Sequence, residues 1–198
     1  MLALILIKSK NLKKKYLVFL KIILNKYIKK VHVKSNLLYI KTLAGYIYPI
    51  ALFLKNHTAS QFKTLVDIIA YDKPGNKFRF TLIYILLSID LNYRIKIELK
   101  LTEKNPIVSS LIPIYSSVGW LEREVWDLFG IFFFNNLDLR RILTDYGFIG
   151  YPLRKDFPLT GFIEVVYDDI EKQILYKSLD LSQEFRNFRF KNSWKLYK

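Results

Sequence analysis

The clearest pattern in the chain is alternation. Arg94-Ile95-Lys96-Ile97-Glu98-Leu99-Lys100-Leu101 switches between polar and apolar at every step, the period of a strand with one wet face. Lys77–Ile89 predicts a strand paired with Tyr93–Leu101, and its apolar run Thr81–Leu87 suits an interior position. Val31–Thr42, rich in β-branched and aromatic residues, predicts one more strand. Leu65–Tyr71 is a short run, apolar apart from Asp67, and Asp72-Lys73-Pro74-Gly75-Asn76 reads as a turn. Glu164–Tyr167 and Gln173–Lys177 predict a hairpin around Asp168-Asp169.

Helical spacing appears elsewhere. In Lys13–Lys30, Tyr16, Leu17, Leu20, Ile23, Leu24, Tyr27 and Ile28 share one arc, with most lysines opposite. Such a helix packs on a sheet or lies on a membrane surface; the first reading is the more economical. Tyr46–Asn56 fits a short helix. Ser117 is placed to cap a helix running to Phe129, with Gly130 as its stop and Val118, Leu121, Val125, Leu128 and Phe129 as its apolar stripe. Asp138 is placed to cap a short Leu139–Leu143 helix. Thr144–Pro158 then reads as a long ordered loop, aromatic enough to dock on something. The expected fold is α+β: a two-layer domain over residues 13–163, with a mixed β-sheet covered by helices. A basic and apolar leader precedes it at 1–12. A hairpin and an extended, partner-binding C-terminal tail follow at 164–198.

Charge divides the chain. Residues 1–66 hold thirteen Lys and no acid, whereas the remainder carries only +2 of the total +15. The basic N-terminus is therefore expected to meet an acidic surface, unless its lysines form only a solvated face. A basic nucleic-acid-binding protein of the organellar ribosomal type also fits this charge with its interleaved aromatics. No segment reaches the roughly 20 apolar residues that cross a bilayer. The longest uncharged run, Asn105–Leu121, has 17 residues and carries Pro106 and Pro113. The chain lacks Cys and has only His32 and His57. That excludes disulfides, Cys-ligated clusters and His-rich metal sites. Gly147-x-x-Gly150 is no dinucleotide fingerprint, and Glu122 and Glu124 point to different helix faces, so neither an autonomous active site nor a bound cofactor is expected.

Trp120–Phe162 differs from its surroundings. The protein has 24 Lys and 8 Arg, yet this stretch uses Arg123, Arg140, Arg141 and Arg154, with Lys155 its only lysine. Glu122, Glu124, Asp127, Asp138, Asp145 and Asp156 match them. Arg binds carboxylates with a planar fork that Lys lacks, so a packed ion-pair network is predicted, with Arg123 and Arg140 or Arg141 paired to carboxylates. Five bases against six acids would not attract phosphate, which weakens the nucleic-acid reading. Tyr146, Phe148 and Phe157 in the loop, and Phe185, Arg186, Phe188, Phe190 and Trp194 in the tail, are the candidate partner interface.

Glu122-Arg123-Glu124-x-Trp126-Asp127-Leu128-Phe129-Gly130, then DLRRILTDYGF-x-G from Asp138, then PLRKDFPL-x-G from Pro152, resembles the signature of the 30 kDa subunit family of respiratory complex I. The match runs on through Gly161–Asp169 to Gln183–Phe190 and upstream through Phe53–Asp72, Arg79–Ile89 and Arg94–Ile97. Where the family usually has His-Pro this chain has Asn136-Leu137, and Tyr151 replaces a usual His, so no imidazole acts at these positions. The resemblance implies a structural subunit of the hydrophilic arm of NADH:ubiquinone oxidoreductase, on the matrix side of the mitochondrial inner membrane. It implies an enzyme only as part of that complex, whose flavin, iron–sulfur clusters, NADH and ubiquinone sit on other subunits. It also implies packing against the large 49 kDa-type subunit that shapes the quinone cavity. Abundant Ile, Phe, Tyr, Asn and Lys with few Ala fit an AT-rich, organelle-encoded gene.

Overall fold

The computed structural model describes residues 15–34, 37–186 and 188. The leader, Phe190 and Trp194 lie outside the described residues. The chain divides into two compact units, Met1–Asp156 and Phe157–Lys198.

The first unit is built on five strands: β1 (Ile28–Lys34), β2 (Leu37–Thr42), β3 (Thr64–Asp72), β4 (Phe80–Ser88) and β5 (Tyr93–Leu101). Their order is β1-β2-β5-β4-β3. β2 and β5 run parallel and the other pairs antiparallel, so the sheet is mixed, as the alternation led us to expect. The register explains the single core. Ile40, Ile97, Tyr84 and Ile68 form one row across the sheet, and Leu38, Ile95, Leu86 and Leu65 the next, all buried. The opposite face is wetter and carries Lys41 paired with Glu98 at 2.9 Å.

Helices supply the second layer: α1 (residues 15–23), α2 (Ile47–Asn56) and α3 (Val118–Phe129). Tyr16, Leu20 and Leu24 from the predicted arc join the core, with Leu17, Tyr27 and Ile28 packed beside them. The arc thus covers the protein's own sheet, while Ile23 is exposed. The expected helix was too long at its C-terminal end, because residues 24–27 turn and β1 begins at Ile28. Val31–Thr42 is likewise not one strand but parts of two, antiparallel to each other. No helix among the described residues is long and apolar enough to cross a membrane.

β6 (Ile107–Ser109), α3 and β7 (Phe132–Phe134) form a small parallel crossover unit. Ser117 precedes α3, but its side chain makes no cap. The chain enters the helix from a turn, with the Val118 amide donating to Tyr115 O at 3.2 Å. Gly130 does end the helix, at φ 71°, and its N–H reaches Trp126 O. The predicted Leu139–Leu143 helix is absent.

The second unit contains the hairpin of β8 (Ile163–Asp168) and β9 (Gln173–Ser178). Phe157 meets Phe162 edge-on at 5.5 Å. Phe185, Arg186 and Phe188 are exposed, with the Arg186 guanidinium 5.1 Å over the Phe188 ring.

Candidate functional site

α3 carries two fully buried carboxyls, Glu122 and Asp127. The loop that follows is fitted around the second. Asp127 Oδ2 accepts the backbone N–H groups of Ile142, Leu143 and Thr144 at 3.1, 2.7 and 2.9 Å. Its Oδ1 accepts from Arg141 Nη1 at 2.8 Å and from the Thr144 hydroxyl at 2.6 Å. Three successive amides aimed at one oxygen leave none for a helical ladder, which is why residues 139–143 do not form a helix. Burial alone would raise this pKa. The Thr144 hydroxyl and amide, with the Leu143 and Ile142 amides, outweigh burial and hold it well below the ordinary range.

Arg141 extends this cradle. Its Nη2 donates to Gly150 O at 2.9 Å, and its guanidinium lies 5.2 Å from the Tyr151 ring and 5.8 Å from Phe148. Arg123 does not pair with Asp127, four residues along the helix. It donates to the carbonyls of Arg140 and Arg141, each at 3.1 Å, and covers the Trp120 ring. The reason is saturation: Asp127's oxygens are already taken by the loop. Among the described residues, Arg140 pairs with Asp138, both exposed. Glu124 is exposed on the outer face of α3. Asp145 accepts its neighbour Tyr146's amide at 2.7 Å, a local loop contact.

Glu122 anchors the other side. Ser110 Oγ donates to it at 2.7 Å, the Leu111 amide at 2.9 Å and Asn136 Nδ2 at 3.0 Å. Burial pushes this carboxyl up, against those three donors. Nearby Tyr84, fully buried, is pushed well up by burial and by the Glu122 charge. Asn136 thus supplies a donor that cannot titrate.

A third anchor lies outside the Arg-rich stretch. Arg79 forks onto Asp72 with bonds of 2.9 and 2.8 Å, and also reaches Glu103 at 2.6 Å and Asp156 at 2.9 Å. Asp72 additionally accepts the Lys155 amide at 2.9 Å, so the end of the loop is tied to the end of β3. The Arg79 bonds come first in holding Asp72 below its ordinary pKa. Reading the Arg-rich stretch alone missed this clamp; an Arg seven residues beyond an Asp across a turn was the available signal. Arg154 donates to Phe129 O at 2.6 Å and stacks 4.4 Å over Tyr151.

With Glu122, Asp127 and Arg141 engaged within the chain, apolar side chains of the same stretch face out. Trp120, Leu137, Leu143, Tyr146 and Ile149 are all exposed, Leu137 at 101% and Tyr146 at 98%. Phe148 is half-buried beside Arg141.

The geometry defines a class first: an α+β scaffold whose charged motif holds its own loop in place and leaves an apolar surface outside. Known proteins agree. The family model "Respiratory-chain NADH dehydrogenase, 30 Kd subunit" matches residues 40–163. NADH-ubiquinone oxidoreductase subunit 9 of Prototheca wickerhamii is 52% identical over 149 residues, 75% of this chain and 77% of that protein. NADH dehydrogenase (ubiquinone) iron-sulfur protein 3 of Oryza sativa subsp. japonica is 49% identical over 153 residues, 77% of this chain and 80% of that one. Among solved structures, a chain of the archaeal membrane-bound sulfane sulfur reductase superposes with a TM-score of 0.61 at 26% identity. The match covers 73% of this chain and 86% of that chain. This chain belongs to the 30 kDa subunit family of respiratory-chain NADH dehydrogenase.

Proposed function

We propose that the chain is a non-catalytic structural subunit of the hydrophilic arm of proton-pumping NADH:ubiquinone oxidoreductase. It docks on the large quinone-cavity subunit and holds that subunit and the iron–sulfur subunits in register. It binds no prosthetic group itself and sits on the matrix side of the mitochondrial inner membrane, peripheral to the bilayer. The carrying observation is the division of labour in the signature stretch. Asp127, Glu122 and Arg141 are satisfied within the chain, so they are not free to act on a substrate. Leu143, Tyr146 and Ile149, on the loop those groups hold, are presented to the outside. Rigid presentation of apolar anchors lowers the ordering cost of docking.

The test is Leu143→Asp combined with Tyr146→Ser. The isolated variant should keep the thermal midpoint of the unsubstituted chain. Its incorporation into the complex, measured in native gels and by quantitative mass spectrometry, should fall at least about tenfold. Normal incorporation would contradict the proposal, as would co-purification of the chain with ribosomes in place of respiratory subunits.

A further inference from the structure

Three walls of the first unit meet around a cleft of about 350 Å³. The last turn of α2 contributes Lys55, the approach to β3 contributes Lys63 and Thr64, and the loop before α3 contributes Ser116 and Ser117. Hydrogen bonds tie these walls to one another. The Phe62 amide donates to Leu54 O at 2.9 Å, which fastens the approach to α2. The buried Tyr115 hydroxyl donates to Phe62 O at 2.6 Å, which fastens the loop to the approach. Lys55 Nζ donates to Ile114 O and closes the ring from α2 to the loop. A cleft bounded in this way is formed before any ligand arrives, which lowers the cost of binding.

Its charge is unbalanced. Lys55 and Lys63 line it and no acid does. Lys55 is half-buried, yet its partners are a carbonyl and the face of Tyr115, 5.2 Å away, rather than a carboxylate. An ammonium has three donors, and a partly desolvated one favours an anion beside it. Lys63 does pair with Asp90 at 2.9 Å, but both are exposed, and an exposed pair is weak enough to exchange. Ser117 lines the same cleft with a hydroxyl that makes no helix cap. Leu65 and Ile112 add apolar surface.

We propose that the cleft binds a small phosphate monoester as an exchangeable ligand. The phosphate lies between Lys55 and Lys63 and accepts from Ser117, and the ester body rests on Leu65 and Ile112. Two observations choose this chemistry. Ammonium groups act as point charges on the several oxygens of a phosphate, whereas the planar fork that grips a carboxylate belongs to Arg, and no Arg lines the cleft. The volume is in the range that holds a small organic ligand, so the phosphate carries a body with it. This site shares no residue with the Leu143–Ile149 surface and adds a ligand to a chain otherwise read as a scaffold.

Calorimetric titration of the full chain with AMP, and separately with a short-chain phosphatidic acid, tests the site. At least one should bind at one to one, and the tighter of the two tells a soluble ester from a lipid headgroup. Inorganic phosphate should bind at least about tenfold more weakly than that ester. The exposed Lys63 side chain carries none of the bonds of the ring, so Lys63→Gln keeps the cleft. It should weaken ester binding at least about tenfold, as should Lys55→Gln. Lys100→Gln, exposed on β5, should leave binding unchanged. Amide NMR shifts on titration should centre on residues 63–65 and 112–117. Failure of both esters to bind, equal weakening by Lys100→Gln and Lys63→Gln, or shifts centred elsewhere would overturn the site and leave only diffuse attraction of anions to a chain of net charge +15.

Discussion

Asp127 and Glu122 sit five residues apart on one helix, both fully buried, yet their carboxyls are pushed in opposite directions. Burial acts on both in the same sense. What differs is the donor set. Asp127 meets three backbone amides, a hydroxyl and a guanidinium, all reaching it from one loop. Glu122 meets one amide, one hydroxyl and one side-chain amide. The first set outweighs desolvation and the second does not. A buried carboxyl in this fold is thus either held below or pushed above its ordinary range, according to how many donors converge on it.

The sharpest break in that contrast is Asp127→Ala. It strands the Arg141 charge and three amides, and should cost about 3–5 kcal/mol in chemical denaturation. Gly130→Ala comes next, at about 1–3 kcal/mol. The residue sits at φ 71°, and a Cβ there would come within 2.5 Å of Arg154 Nη2 and 2.7 Å of the Tyr151 ring, the far side of the same loop. Glu122→Gln should cost only about 1 kcal/mol, since the amide keeps most of the donors satisfied. Arg140→Ala removes an exposed pair with Asp138 and should change stability by less than about 0.5 kcal/mol.

The same two carboxyls give opposite pH signatures. Asp127's depressed pKa stabilises the fold above the ordinary carboxylate range, and that contribution is lost as pH falls through the depressed value. Glu122's raised pKa contributes stability that is full below about pH 4 and is lost as pH rises through its elevated value. Relative to the unsubstituted chain, Glu122→Gln should therefore flatten the decline in stability on the rising-pH side. Asp127→Asn should flatten the decline on the acid side. Denaturation midpoints against pH for the three proteins check both slopes.

How much of this could be read from residues alone follows from the range of each interaction. Arg94–Leu101 declares its strand by alternation, and Val118–Phe129 with Gly130 declares its helix and stop, because those signals are local. The division of Val31–Thr42 was signalled by Ser35-Asn36, two turn-forming types, but the β-branched run around them spoke louder. The Asp138-capped helix failed for a reason no local window contains: the amides it would use belong to Asp127, 15 to 17 residues back. Arg123 failed likewise, because its nearest carboxylate on the helix was already saturated from a distance. The Arg79 clamp was missed because its residues are split between a sheet turn and the loop's end.

The account's central claim is that the signature loop is organised by Asp127 within the chain and then presented to a partner. Hydrogen exchange of the Ile142, Leu143 and Thr144 amides tests it most directly. All three should exchange slowly in the isolated chain and no faster than in the assembled complex, since Asp127 holds them in both. Rapid exchange in the isolated chain, with protection appearing only on assembly, would show that the partner builds the loop and would contradict the account.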